Sequence, residues 1–86
     1  MPYRIEFTSA AARDISKLTE DVQQRLIAKI DALAHEPRPI GVQKLQGRTN
    51  RYRIRVGDYR IIYEIQDQIL VVLIVRIGHR REVYRG

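Results

Sequence analysis

The segment from Arg51 to Tyr63, RYRIRVGDYRIIY, leaves this chain few ways to fold. Two alternating runs flank Gly57-Asp58. Tyr52, Ile54 and Val56 alternate with Arg51, Arg53 and Arg55; Tyr59, Ile61, Tyr63 and Ile65 alternate with Arg60, Ile62 and Glu64. Period-two patterning rich in β-branched and aromatic residues specifies strands. Gly-Asp between such runs specifies a two-residue hairpin, because glycine supplies the positive φ that a primed turn needs. The register follows: Val56 faces Tyr59, Arg55 faces Arg60, Ile54 faces Ile61, Arg53 faces Ile62 and Tyr52 faces Tyr63. Paired residues share a face of the sheet, so one face is apolar and aromatic and the other carries Arg51, Arg53, Arg55 and Arg60. Like charges placed directly opposite each other are destabilising. The Arg55–Arg60 pair is therefore a local conflict, resolved either by an anion over that face or by solvation, with the arginine stems covering apolar surface.

Eighty-six residues suffice for a single domain, 1–86, with one modest core. With no cysteine in the chain, disulfides, thiolate metal sites and a cysteine nucleophile are excluded. His35 and His79 are too few for a histidine-based zinc site, and no metal or other cofactor is expected. The N-terminus MPYRIEF has no apolar core of the signal-peptide kind, and the apolar run Ile69 to Val75 is far too short to span a bilayer. A cytoplasmic protein with no membrane partner is the expectation. The net charge of +6 is unevenly placed: residues 1–47 hold seven Lys/Arg against six Asp/Glu, and residues 48–86 hold nine against four, all nine being arginine. Arginine presents a planar fork that suits phosphate and stays charged near neutral pH. A basic half of this kind points to nucleic acid or an acidic protein partner.

In chain order, Tyr3 to Phe7 alternates as a first strand. Thr8 or Ser9 caps a short helix running to about Leu18, with an apolar stripe of Ala11, Ile15 and Leu18. Thr19 caps a second helix whose stripe is Val22, Leu26, Ile30 and Leu33 and which ends before Pro37. Residues 36–43 form a connection, Lys44-Leu45 approach the core, and a loop containing Arg48 precedes the hairpin. Gln66-Asp67-Gln68 is a second turn. Ile69 to Ile77, almost wholly apolar, reads as a central strand buried on both faces and broken by Gly78. The fold expected is α+β: a small antiparallel sheet with an N-terminal strand, a two-helix hairpin on one face and a C-terminal three-strand meander. No repeats and no second domain are expected.

The last strand returns toward the Gly57 end of the hairpin. Arg55, Arg60, His79, Arg80 and Tyr84 are thereby expected in one region. Arginines neutralise the charge that builds on a phosphate in the transition state. A histidine near its ordinary pKa of about 6.5 moves protons, and a tyrosine stacks on a base. Taken singly, none of these is specific. A histidine beside arginines is more often a surface residue, and Tyr84 alone is more simply a packing residue.

The order of elements, with the motifs GDYRIIYEI and GHRREVY, resembles the RelE/ParE superfamily of toxins over nearly the whole chain. Within it the chain resembles the RelE-type branch, whose members cleave messenger RNA in the ribosomal A site; the ParE-type branch inhibits DNA gyrase. The resemblance implies roles residue by residue. Arg53 and Arg55 match the pre-turn basic residues that bind phosphate and help activate the ribose 2′-hydroxyl. Arg60 matches the arginine that stabilises the transition state, Arg80 the arginine that assists the leaving group, and Tyr84 the tyrosine that orients substrate. Arg48, Arg51 and Arg81 add substrate-binding charge. The best-studied pattern has lysines where Arg53 and Arg55 stand. Arginine, with a pKa above about 12, is a poor proton acceptor, which makes His79 the candidate general base or acid.

The resemblance further implies a ribosome-dependent, metal-independent endoribonuclease acting on mRNA and neutralised by a cognate antitoxin. The rivals are a non-enzymatic gyrase inhibitor of the ParE type and a basic RNA- or ribosome-binding module without turnover.

Overall fold

The structure, a computed structural model, describes residues 2–47 and 50–79. It is α+β. Strand β1 (Arg4–Phe7) leads into helices α1 (Ser9–Ser16) and α2 (Glu20–His35). A two-residue strand β2 (Gln43–Lys44) precedes β3 (Arg51–Val56) and β4 (Tyr59–Gln66), and a 3-10 turn (Asp67–Ile69) leads to β5 (Val71–His79). The sheet order is β1-β5-β4-β3-β2. No helix among the described residues is long and apolar enough to cross a membrane.

The sheet is mixed, which corrects the expectation of an antiparallel one. β1 runs parallel to β5, with Ile5 beside Val72 and Phe7 beside Ile74. The reason is topological. A three-strand meander leaves its first and third strands running the same way, and β1 shares that direction after the two-helix crossover. Alternation in a sequence carries no information about strand direction.

The helices cover one face. Ala11 of α1, Leu26, Ile30 and Leu33 of α2, and Tyr52, Ile54, Ile61, Tyr63, Val72, Ile74 and Ile77 of the sheet form the core, with Val22, Ile15 and Leu18 packed against it. Each fully buried side chain of this size contributes about 1.5–3 kcal/mol. The Thr8 hydroxyl accepts from Ala11 N at 3.0 Å and donates to Val75 O at 2.7 Å, so one residue caps α1 and ties it to β5. Thr19 stands at the N-cap of α2, but its side chain makes no capping bond; the turn is held by Gln23 Nε2 donating to Ile15 O.

Two features of the last strand differ from the expectation. It begins at Val71, because Ile69 belongs to the 3-10 turn and Leu70 takes a left-handed conformation with φ 55°. An unbroken apolar run gives no sign of where a turn ends and a strand begins. Gly78 does not break the strand, which continues through it to His79. Gly78 pairs with Arg60.

Candidate active site

The β3–β4 hairpin has the register that alternation and turn chemistry specify. Val56 pairs with Tyr59, Arg55 with Arg60, Ile54 with Ile61, Arg53 with Ile62 and Tyr52 with Tyr63. Gly57 sits at φ 58°, the left-handed conformation that the turn demands. Tyr52, Ile54, Ile61 and Tyr63 are buried under the helices, so the alternating arginines take the other face.

Each arginine there has a different setting. Arg51 is tied to Glu64, its cross-strand partner, by a 3.3 Å ion pair. Arg53 is half-buried and donates to Gln43 Oε1 on β2. Arg55 is exposed and forms no ion pair with a described residue. Arg60 is 4% exposed, the buried charged side chain among the described residues. Taking a guanidinium out of water is costly, and a buried charge is retained where the surrounding structure holds it in place. Arg60 stands between Arg55 on one neighbouring strand and Gly78 on the other.

Arg53, Arg55 and Arg60 line one open cleft of about 300 Å³, together with Lys29, Ile40, Gly41, Gln43 and Ile54. No carboxylate among the described residues lines it. Lys29 is the contribution that sequence reasoning missed. It lies off the apolar stripe of α2, where a cation reads as a solvated surface residue; the available signal was the like-charge Arg25–Lys29 pair four residues apart. Ile40, fully exposed, stands on the rim.

His79 is placed elsewhere. It pairs with Tyr59, and the two rings meet edge-on at 5.8 Å and 75°. Tyr59 lies on the helix-covered face with Val56 and Ile61, so the register puts His79 on the side of the sheet opposite Arg55 and Arg60. Arg48, Arg80, Arg81 and Tyr84 lie outside the described residues.

Two polar clusters fix the frame around the cleft. Asp14 of α1 accepts from Arg76 Nε at 2.8 Å and from the Ile77 amide at 3.0 Å. This satisfies β5 on the flank where β1 has ended, one residue before Gly78. Burial pushes the Asp14 carboxyl up, but the bonds from Arg76 and the Ile77 amide outweigh it and hold the group below its ordinary value. At the other end of the sheet, Arg38 Nη2 and the Tyr3 hydroxyl donate to Asp67 at 2.8 and 2.6 Å, and Arg38 lies over the Tyr52 ring at 5.4 Å. Those two donors, Arg38 foremost, keep the Asp67 carboxyl low. The Tyr63 hydroxyl donates to Pro37 O at 2.7 Å, anchoring the connection that carries Ile40 and Gly41 past the cleft.

Residues 5–84 match the family described as ParE toxin of type II toxin–antitoxin systems. The chain belongs to the RelE/ParE superfamily of toxins. Over 86 residues this toxin is 33% identical to the toxin RelG of Mycobacterium tuberculosis, with 99% of each chain covered. It is 32% identical to the mRNA interferase toxin RelE of Escherichia coli over 88 residues, covering 98% of this chain and 92% of that one. Its fold is shared with a chain of the toxin–antitoxin complex RelBE2 from M. tuberculosis, at a TM-score of 0.83 with 30% identity and 95% of each chain covered. The toxin is thus a RelE-family member of a type II toxin–antitoxin system, with the α+β architecture of that family.

Proposed function

We propose that this toxin is a ribosome-dependent endoribonuclease that cuts messenger RNA. The observation that carries the proposal is the cleft in which Arg53, Arg55, Arg60 and Lys29 converge with no carboxylate among the described residues that line it. The ribose 2′-oxygen attacks the adjacent phosphorus, the bond to the 5′-oxygen breaks, and the products are a 2′,3′-cyclic phosphate and a 5′-hydroxyl that takes up the proton. Arg53 and Arg55 hold the scissile phosphate. Arg60, buried and fixed on the strand, faces the charge that builds on the phosphoryl oxygens; a preorganised donor of this kind is worth about 10²–10³ in rate. By family resemblance Arg80 assists the leaving oxygen and Tyr84 orients the substrate. All the charge stabilisation in this scheme comes from side chains, without a metal. His79 lies across the sheet from Arg55 and Arg60 and is not among the residues lining the cleft, so the proposal rests catalysis on positioning and charge rather than on histidine.

The 32% identity to a protein named mRNA interferase toxin supports this reading. The toxin–antitoxin complexes among its structural relatives support a cognate antitoxin as partner. Action on the ribosome places the toxin in the cytoplasm.

A second reading is favoured by the family description, which names ParE: inhibition of gyrase without RNA cleavage. Expression in growing cells followed by mapping of message 5′ ends separates the two. Cuts linked to the reading frame support the ribonuclease. Intact messages with DNA damage contradict it.

A further inference from the structure

We propose that Lys29, with Arg25 one helical turn earlier, holds a second backbone phosphate of the RNA, so that the strand leaves the arginine face over the edge of β3 and continues along α2. The inference rests on the ribonuclease reading and adds a binding arm to it.

Lys29 is half-buried and lines the same cleft as Arg53, Arg55 and Arg60, yet it comes from the helix layer rather than the sheet. It makes no hydrogen bond or ion pair with a described residue, although carboxylates are plentiful elsewhere on the chain. Unit charges about 4 Å apart repel by about 1 kcal/mol in water and by about 4 near a protein surface. Gathering four cations into one cleft is therefore unfavourable until an anion enters.

Arg25 repeats the pattern. Its Nη1 lies 3.8 Å from the point that a Cβ on Gly57 would occupy, so it reaches the hairpin turn. It forms no ion pair with Asp21, although the spacing of four residues would allow one. Arg25 and Lys29, themselves four residues apart, disfavour the helix slightly. They are about 6 Å apart along its axis. Neither is among the buried residues of the core.

A polyanion that already has one phosphate at Arg55 and Arg60 must continue past the cleft in both directions. The helix cations meet it on the α2 side. An acidic protein segment is the competing occupant. RNA is favoured because the helix cations are continuous with the residues that hold the scissile phosphate.

The test is binding of a fluorescent single-stranded oligoribonucleotide of about ten nucleotides, within the usual site-size range, across a salt series. Circular dichroism verifies the fold of each variant. Lys29→Gln is expected to weaken binding three- to tenfold at low salt and to flatten the slope of log K against log salt by about 0.7, the loss of one single-strand phosphate contact. Arg25→Gln should act in the same direction, and Lys29→Arg should restore both readouts. Lys17→Gln, which removes an exposed cation at the end of α1, should change neither, separating local contact from net charge.

If Arg55→Ala weakens binding while Lys29→Gln and Arg25→Gln leave affinity and slope unchanged, the second arm is overturned and the ribonuclease proposal stands. If the unmodified toxin binds no RNA oligomer, the second arm is overturned, and the ribonuclease proposal is decided by the mapping of message 5′ ends. Weaker antitoxin binding by Lys29→Gln with normal RNA binding overturns the RNA assignment and gives Lys29 to the protein interface.

Discussion

Arg55 and Arg60 face each other directly across the β3–β4 ladder, the first exposed to solvent and the second 4% exposed. Two like charges at one rung of a sheet weaken the pairing, and burying one of them adds a desolvation cost. A strand built only for stability would place an apolar residue at position 60, as it does two residues on at Ile62, on the same face. The arrangement makes chemical sense as a fixed cation beside an adaptable one, both lining a cleft with no carboxylate among its described residues.

Arg60→Ala is therefore expected to abolish toxicity, lowering cleavage by about 10²–10³-fold. The growth assay is read beside circular dichroism and antitoxin binding, since removing a buried side chain also perturbs packing. Arg60→Lys keeps the charge but loses the fork, and should recover little activity. Full toxicity in a folded Arg60→Ala protein would contradict the assignment.

His79→Gln provides the complementary test. With the imidazole edge-on to Tyr59 on the opposite side of the sheet, the substitution should change the cleavage rate less than about tenfold, below the usual 10²–10⁴ for a general acid–base residue. The pH–rate profile should keep its shape. A hundredfold loss, with the acid limb flattened, would return His79 to the role of proton carrier.

The hairpin register and the two stripes facing the core were readable because alternation, Gly57 and helical spacing are local properties. Tyr52, Ile54, Leu26, Ile30 and Leu33 all fall where spacing puts them. What the sequence left out is long-range. The parallel pairing of β1 with β5 depends on topology, and the start of β5 at Val71 lies inside an apolar run with no punctuation. Gly78 looked like a strand end but is paired within the ladder. His79 was expected near Arg60 because its place along the strand is right, while parity assigns its face. Lys29 joins the cleft only once α2 docks beside the edge of β3.

Asp14 gives the account a pH signature. Its carboxyl lies below its ordinary value when folded, so its contribution is complete above the unfolded-chain value of about 3.9 and is lost as pH falls through the lower folded value. Acid unfolding of the wild type should show this loss below about pH 4. Asp14→Ala should remove it and, at neutral pH, destabilise by about 1.5–3 kcal/mol, most of it from the bond to the Ile77 amide. The bridge to Arg76, which is more than half exposed, adds little. Equilibrium urea unfolding at both pH values is the measurement; equal pH dependence in the two proteins would remove Asp14 from the explanation.

The antitoxin interface should carry an electrostatic component, because nine arginines stand against four acids in residues 48–86. Titrating salt into the purified complex should raise its dissociation constant steadily as exposed charges are screened. An affinity unchanged between low and high salt would show that the basic half is left uncovered by the antitoxin.

The central claim, that the arginine cleft promotes attack by a ribose 2′-hydroxyl, is tested most directly by RNA carrying one 2′-deoxy sugar at the cut position. That hydroxyl is what distinguishes RNA from DNA at a site. The measurement compares binding and cleavage of this RNA with the all-ribose message on the ribosome. The predicted result is equal binding with no cleavage of the deoxy substrate, and a 2′,3′-cyclic phosphate with a 5′-hydroxyl from the ribose one. Cleavage of the deoxy substrate at the same position would contradict the mechanism.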